Sequence, residues 1–345
     1  MPKYVQKQAL GLFDYSDYTE DLRMDPTSLD KLDSRIDWEL FRKTLEETLD
    51  YSDGKKGGRP PFDPVMMLKV VVLQRYFDLS EEETEFQIKD RFSFQRFLGL
   101  SIADRMPDKN TIWNFKEKVG KEGIKALFKK FEQYLYESGI TAKKGKIVDA
   151  SFVDAPRQRN SRKENKQIKE GHVPEEWDDG SRKLCQKDTD ARWMTKNKER
   201  HYGYKNHVKI DKHTKLIDDY AVTDASVHDS QVLIELLDEE RDGVMWADSA
   251  YRSKEISEAL KDKGVQNRIH EKGYRGHPLT DEQKQKNSKK SRVRARVEHV
   301  FGFIQNSMGG DWTRTIGKER ANRGIGISNF TYNLFRFTQL NWTMV

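Results

Sequence analysis

The sequence predicts an α/β protein: a mixed five-stranded sheet with helices on both faces, preceded by an all-helical N-terminal unit. Three observations predict it. Apolar residues recur at helical spacing from Leu29 to about residue 138. The pattern turns strand-like at Gly145. From there strands and helices alternate in an order that few sheet topologies accommodate.

Residues 1–28 read as an N-terminal arm, 29–140 as the helical unit and 141–345 as the α/β domain. In the helical unit, Ile36, Leu40, Leu45 and Leu49 repeat among charges until GKKGGRPPFDP breaks the periodicity. From Pro64, VMMLKVVVLQRYF reads as a buried helix with proline in its first turn. EEETEFQIKDRFSFQRFLGL follows, and DKNTIWNFKEKVG forms a further helix after Pro107. In the α/β domain, KIVDASFV, HYGYKNHVKID and KLIDDYAVTDA read as three strands of a meander. Next come the helix DSQVLIELLDEE, capped by Asp229 or Ser230, the strand GVMWADSAY, and the helix SKEISEALKDKG stopped by Gly264. The strand VQNRIH and a basic helix through Glu298 close the pattern. Hairpins suffice for the first three strands, whereas the fourth and fifth follow helices and are expected to be parallel crossovers. Residues 158–200 read as a loop of low hydrophobicity.

Composition excludes several classes. The 345 residues are ample for a core, and 17 Phe, 13 Tyr and 7 Trp argue against wholesale disorder although 35% of the chain is charged. Cys185 is the only cysteine, so neither an intrachain disulfide nor a thiolate metal cluster can form. No window approaches the ~20 apolar residues of a membrane span, and MPKYVQKQAL lacks an apolar signal core. A cytoplasmic protein without membrane contact is expected. The net charge of +6 is uneven: the first fifty residues are acid-rich, while Lys284–Arg296 is almost purely basic, which favours a polyanionic partner.

Sites in such sheets gather outside the carboxyl ends of strands where connectivity changes direction. Asp149 is expected near the end of the first strand and Asp248 near the end of the fourth. An isolated Asp at such a place is most often a turn former or helix cap. Here each interrupts an apolar run, where an unpaired carboxylate is expensive to bury and a metal ion would offset the cost. Asp154 competes but is five positions on, facing the other side of an extended strand; Asp242 precedes the fourth strand. Glu298 borders the stripe Val297, Val300, Phe301 and Ile304. Three carboxylates with no cysteine or histidine pair at metal spacing suit two Mg2+ ions, or Mn2+, rather than zinc. Two such ions clamp the attacking and leaving oxygens in phosphodiester transfer, with Asp149 bridging and Asp248 and Glu298 each holding one; no organic cofactor is needed.

Basic residues surround this set. Arg294, one turn before Glu298, makes either a surface ion pair worth ~0.3–0.5 kcal/mol or a contact to Glu298 or a DNA phosphate. Lys289, Lys290, Arg292 and Arg296 flank it, and phosphate contact is the favoured role. Tyr251 and Arg252 follow Asp248 closely enough to hold a phosphate. Lys205, His207 and Lys209 alternate onto one strand face, expected to look toward DNA, and His228 either contacts substrate or caps the next helix.

At these residues the sequence resembles the DDE transposases of bacterial insertion sequences, the group numbered five. The blocks GRPPFDPVMMLKVVVLQRYFDLS, HYGYKNHVKID, AVTDASVHDS, ADSAY and RARVEHVFG carry the resemblance, in order, over most of the chain. It implies a ribonuclease-H-like core, Asp149, Asp248 and Glu298 as the metal-binding triad, double-stranded DNA at terminal inverted repeats as partner, and a homodimer that joins two ends. One departure stands out. Of the Tyr-Arg-Glu-Lys pattern, Arg294 and Glu298 match, whereas Ser291 and Gln305 replace the tyrosine and lysine. A hairpin route for second-strand cleavage would need another source of stabilisation, and Trp193, Trp246 and Trp312 are the candidates for stacking on an unpaired base. Gly58-Arg59-Pro60 resembles half of a minor-groove arm but reads as a turn.

Overall fold

A computed structural model of the chain describes residues 26–51, 59–141, 145–174, 177, 182–196, 198–239 and 241–340. Most of the expected N-terminal arm, and Gly58, lie outside them.

Four of the N-terminal α-helices begin at side-chain caps. Helix α1 (Ser28–Arg35) carries a capping box between Thr27 and Asp30. After α2 (Arg42–Leu49), α3 (Pro64–Tyr76) starts on the Asp63 carboxylate with Pro64 in its first turn. Helices α4 (Glu81–Asp90) and α5 (Phe92–Leu98) follow. Helix α6 (Lys109–Glu137) is capped by Asp108 and continues past Gly120, where a positive φ of 62° kinks it.

Six strands are described rather than five. Strand β1 (Lys146–Asp154) pairs antiparallel with β3 (Glu199–Asp211), whose other edge pairs antiparallel with β4 (Ile217–Asp224). On its far side β1 pairs in parallel with β5 (Val244–Trp246), and β5 in parallel with β6 (Gln266–Asn267). The expected meander and parallel crossovers are therefore present. The extra strand, β2 (Arg192–Lys196), forms a hairpin with the start of β3. It lies in the stretch read as a loop, which also holds helix α7 (Arg162–Lys169). Cross-strand pairing makes this polar stretch a strand where its own hydrophobicity does not. The helix expected at DSQVLIELLDEE is only one turn, Ser230–Leu233, with no side-chain cap from Asp229. Helix α8 (Lys254–Asp262) ends before Gly264 as expected. The basic helix is two helices, α9 (Asp281–Arg294) and α10 (Arg296–Met308), joined at Ala295.

The last helix, α11 (Lys318–Thr338), organises the molecule. Phe330, Leu334 and Phe337 are fully buried, each contributing about 1.5–3 kcal/mol. Phe330 packs edge-on against Phe41 and Phe131 of the N-terminal helices. Asn329 exchanges amide hydrogen bonds with Asn206 on β3, and Asn333 pairs with the backbone of Ile217 on β4. One buried apolar cluster thus runs from Leu29 to Phe337 without a break at residue 140.

Strand alternation divides the sheet. Ile147, Val153, Val208 and Ile210 face α6, α10 and α11, whereas Val148, Ala221 and Met245 face a second cluster with Ile256 and Leu260 of α8. Helical packing therefore covers both faces.

Candidate active site

The register explains why Asp149 meets a cavity. It is the fourth residue of β1, opposite Val208 of β3. The parallel neighbour β5 pairs with β1 only at Lys146 and Ile147, then stops at Trp246. Beyond that point no strand among the described residues pairs with this edge of β1 until Asp154 bridges Trp312, and Asp248 of the departing chain lines the cavity in the gap. The expectation that Asp149 ends its strand is corrected: β1 runs on to Asp154, and it is β5 that ends.

Asp149, Asp248 and Glu298 line one open cavity of about 530 Å³. Asp149 is buried; its Oδ1 accepts the Ala150 N–H at 2.9 Å and its Oδ2 accepts Nη1 of Arg294 at 2.5 Å. Burial pushes its carboxyl up to about 6 against the opposing pull of Arg294, and the charge of Asp248 adds to the rise. Asp248 also serves as a cap: its Oδ1 accepts the Ala250 N–H at 2.7 Å and starts the turn Ser249–Tyr251. Glu298 is exposed in the first turn of α10, where its carboxylate complements the helix dipole. Among the described residues no three His, Cys, Asp or Glu side chains stand close enough to hold a metal ion, and Arg294 is the cation that meets Asp149.

Arg294 therefore holds Asp149, not Glu298. Several other expected DNA contacts are corrected by burial or by internal pairing. Lys205 and Lys209 do share a face with His207, but that face is covered by the second helical layer. Lys205 donates to the Val227 carbonyl and Asp229, and Lys209 to the buried Asp242. His207 is fully buried, held down to about 4 by desolvation, with Nε2 at 2.9 Å from Thr223 Oγ1. Tyr251 is buried with its phenol pushed far up, first by desolvation and then by Asp149, Asp229 and Asp248. Arg252 pairs with Glu271 at 2.6 Å. Lys290 donates to the Ile269 carbonyl and Arg296 to that of Lys212. Lys289 and Arg292 are exposed, with no partner among the described residues. His228 caps the short turn: its Nδ1 accepts the Ser230 N–H at 3.3 Å and lies 2.7 Å from Ser230 Oγ. Ser291 lies near His270 outside the cavity wall, whereas Gln305 lines it and donates to Ser151 at 2.7 Å.

Three cavity-lining side chains that can carry charge, Lys196, His201 and Asp311, were not expected there, and Asp154 was ranked below Asp149. Lys196 and His201 come from the β2–β3 hairpin, and the His201 ring stacks flat on Phe152 at 4.0 Å. Asp154 lines the wall as well and meets His201 Nδ1 at 3.2 Å, so its strand parity does not remove it from the site. Asp311 reaches the cavity from the loop after α10, whose backbone bonds the end of β1. Only the alternation of Lys196 and His201 around a polar turn hinted at the hairpin.

A mixed α/β sheet with acidic side chains brought by β1, by the chain leaving β5 and by a later helix to one open cleft defines the class. Residues 141–334, more than half of the chain, match the transposase DDE domain family, and residues 17–118 match the family described as Transposase domain (DUF772). The chain belongs to the transposase DDE domain family. Among solved structures it is similar to one described as a pre-cleavage Mos1 transpososome, at 10% identity over 81% of this chain and 98% of that chain, with a TM-score of 0.20. Among the described residues no helix is long and apolar enough to cross a membrane.

Proposed function

We propose that this transposase acts on the ends of a bacterial insertion sequence of the group numbered five. It binds double-stranded terminal inverted repeats, cuts at the element ends and joins the freed 3′ hydroxyl to target DNA. The observation that carries this reading is the convergence of Asp149, Asp248 and Glu298, from three distant segments, on a single open cavity. In this reading the sheet is a ribonuclease-H-like core. Residues 29–140 bind element ends and pair two copies, and residues 141–345 cut; the two family matches fall on either side of that division.

The donor chemistry, though not the spacing the three carboxylates have here, suits hard divalent ions, Mg2+ or Mn2+: it is all oxygen, and Asp149 bears a charge that is costly where it sits and that Arg294 meets. Asp149, Asp248 and Glu298 would hold the ions, which when bound neutralise charge on the attacking and leaving oxygens. The chain's own residues prepare the cleft. Arg294 pairs the buried charge of Asp149, and the bond from Gln305 to Ser151 shapes the wall beside it. Lys289 and Arg292 are free to meet phosphate. Water is the first nucleophile and the freed 3′ hydroxyl the second, so no side chain need form a covalent intermediate.

Asp149→Asn should retain binding to DNA carrying the repeats of the encoding locus and lose cleavage in Mg2+. Normal cleavage by that variant would remove Asp149 from the mechanism. Cutting without joining of a precut end would identify a nuclease rather than a strand-transfer enzyme.

A further inference from the structure

The basic run of α9 is the obvious phosphate surface in the sequence, yet much of its charge is already met. Lys284 pairs with Asp281, Lys286 with Glu282, and Lys290 with Glu271 and a backbone carbonyl. The β2–β3 hairpin is different. Arg157, Lys196, Lys198 and Arg200 are exposed and form no salt bridge to any described residue. Trp193 is 41% exposed on β2. The Arg200 guanidinium stands 5.3 Å and that of Arg157 5.8 Å from its ring centroid, while Tyr202 packs on the same ring at 5.0 Å. Arg157 also reaches the Arg200 carbonyl at 3.4 Å. Trp193 is thereby occupied by its own neighbours, which argues against a role in stacking on an unpaired base. Guanidinium groups ordered on an aromatic ring keep most of their N–H donors available for planar, bidentate contact with phosphate oxygens.

The other face of the same hairpin leads to the carboxylates. Lys196 and His201 line the cavity of Asp149, Asp248 and Glu298, and the Lys196 ammonium lies 5.8 Å from the Phe152 ring on which His201 stacks. We propose that the β2–β3 hairpin, with Arg157 of the chain after β1 packed on it, is a backbone clamp for duplex DNA, in which Arg157, Lys196, Lys198 and Arg200 hold the phosphates next to the one being cut. This rests on the DNA-cutting reading above and adds to it a surface and a contact class: sugar-phosphate backbone, without base readout. Hairpin and cavity share a wall, so a strand seated on the carboxylates passes the clamp within a few nucleotides.

The test compares the full-length protein with Arg157→Ala/Lys196→Ala/Lys198→Ala/Arg200→Ala, using duplex DNA that carries the terminal repeats of the encoding locus. Fluorescence anisotropy across a salt series is the readout. Each lost phosphate contact removes about 0.9 from the slope of log K against log salt, so the fourfold variant should lose about 3 to 4 and bind at least tenfold more weakly at moderate salt. The fourfold lysine-or-arginine exchange (R157K, K196R, K198R, R200K) should keep the slope near wild type, separating charge loss from a fold defect. Photo-crosslinking from 5-iodouracil placed beside the cleavage point should map to the hairpin. Equal slopes for the alanine variant and wild type, with no crosslink there, would overturn the clamp while wild-type cleavage leaves the DNA-cutting reading standing. Absence of any wild-type binding would overturn both.

Discussion

Removing Arg294 tests how the cleft handles the charge of Asp149. In Arg294→Ala, a carboxylate whose side chain is 11% exposed loses its cation. Breaking a buried ion pair costs 3–5 kcal/mol as a rule; Arg294 is itself 26% exposed, and solvent screening brings the expectation to about 2–3 kcal/mol. The loss should appear in a chelator, as a lower midpoint in chemical denaturation. Under the proposed function a divalent ion would take over the vacated role, and at a hundred times its Kd it would restore about 2.7 kcal/mol. In the wild type the ion would first have to displace Arg294, so its stabilising effect should be smaller. The assay is therefore denaturation of both proteins with EDTA and with a saturating series of Mg2+, with Asp149→Asn/Arg294→Ala as a third arm. The double variant has no buried charge to abandon and should recover most of the loss while responding little to Mg2+. If Arg294→Ala is as stable as wild type in EDTA, or if Mg2+ stabilises the two equally, then Arg294 is not the stand-in cation that its bond to Asp149 implies.

Asp248→Ala should lose cleavage and about 0.5–1 kcal/mol of stability with the cap on Ala250, whereas Asp248→Asn should keep the cap and still lose cleavage. An Asn variant that cuts normally would reduce Asp248 to a turn former. Lys146 is buried between Asp211 and Asp218, and Lys146→Met should cost about 3–5 kcal/mol at neutral pH. Burial already pushes the Asp218 carboxyl up to about 6, so the folded protein takes up its proton before the unfolded chain does. Without Lys146 the variant's Asp218 is pushed higher still and takes up its proton above the wild-type value, so the loss should shrink as pH falls toward about 6 and level off below it, and a gap independent of pH would contradict it. Gly326→Ala places a methyl 2.5 Å from Tyr220 Oη and 2.9 Å from Ile124 Cγ2, at the junction of α11, β4 and α6. Overpacking there should cost about 1–3 kcal/mol in urea denaturation, and an unchanged midpoint would mean that the junction yields.

Much of the architecture is written in local chemistry. Asp63 with Pro64 starts α3, Thr27 with Asp30 starts α1, and Gly264 follows α8, because caps and stops act through neighbours in the chain. The meander and the two parallel crossovers follow from which strands have short connections. The polar strand β2 was not legible, since Arg192–Lys196 becomes a strand through pairing with β3 rather than through its own hydrophobicity. Nor was α11, whose burial depends on Phe41 and Phe131, about two to three hundred residues earlier in the chain.

For the site, the sequence by itself picked out the candidate carboxylates: Asp149 and Asp248 interrupt apolar runs, Glu298 borders the apolar stripe of its helix, and the fold brings all three to one cavity. Tertiary structure alone decided where each positive charge goes. Alternation places Lys205 and Lys209 on one face of β3 from sequence alone, but whether that face meets water or a helical layer depends on what packs there, and here burial pairs them with Asp229 and Asp242. The same holds for Arg294, whose guanidinium reaches Asp149 across 145 residues of chain. Residue type is a property of position, whereas the partner of a charge depends on which distant segments the folded core brings within a few ångströms.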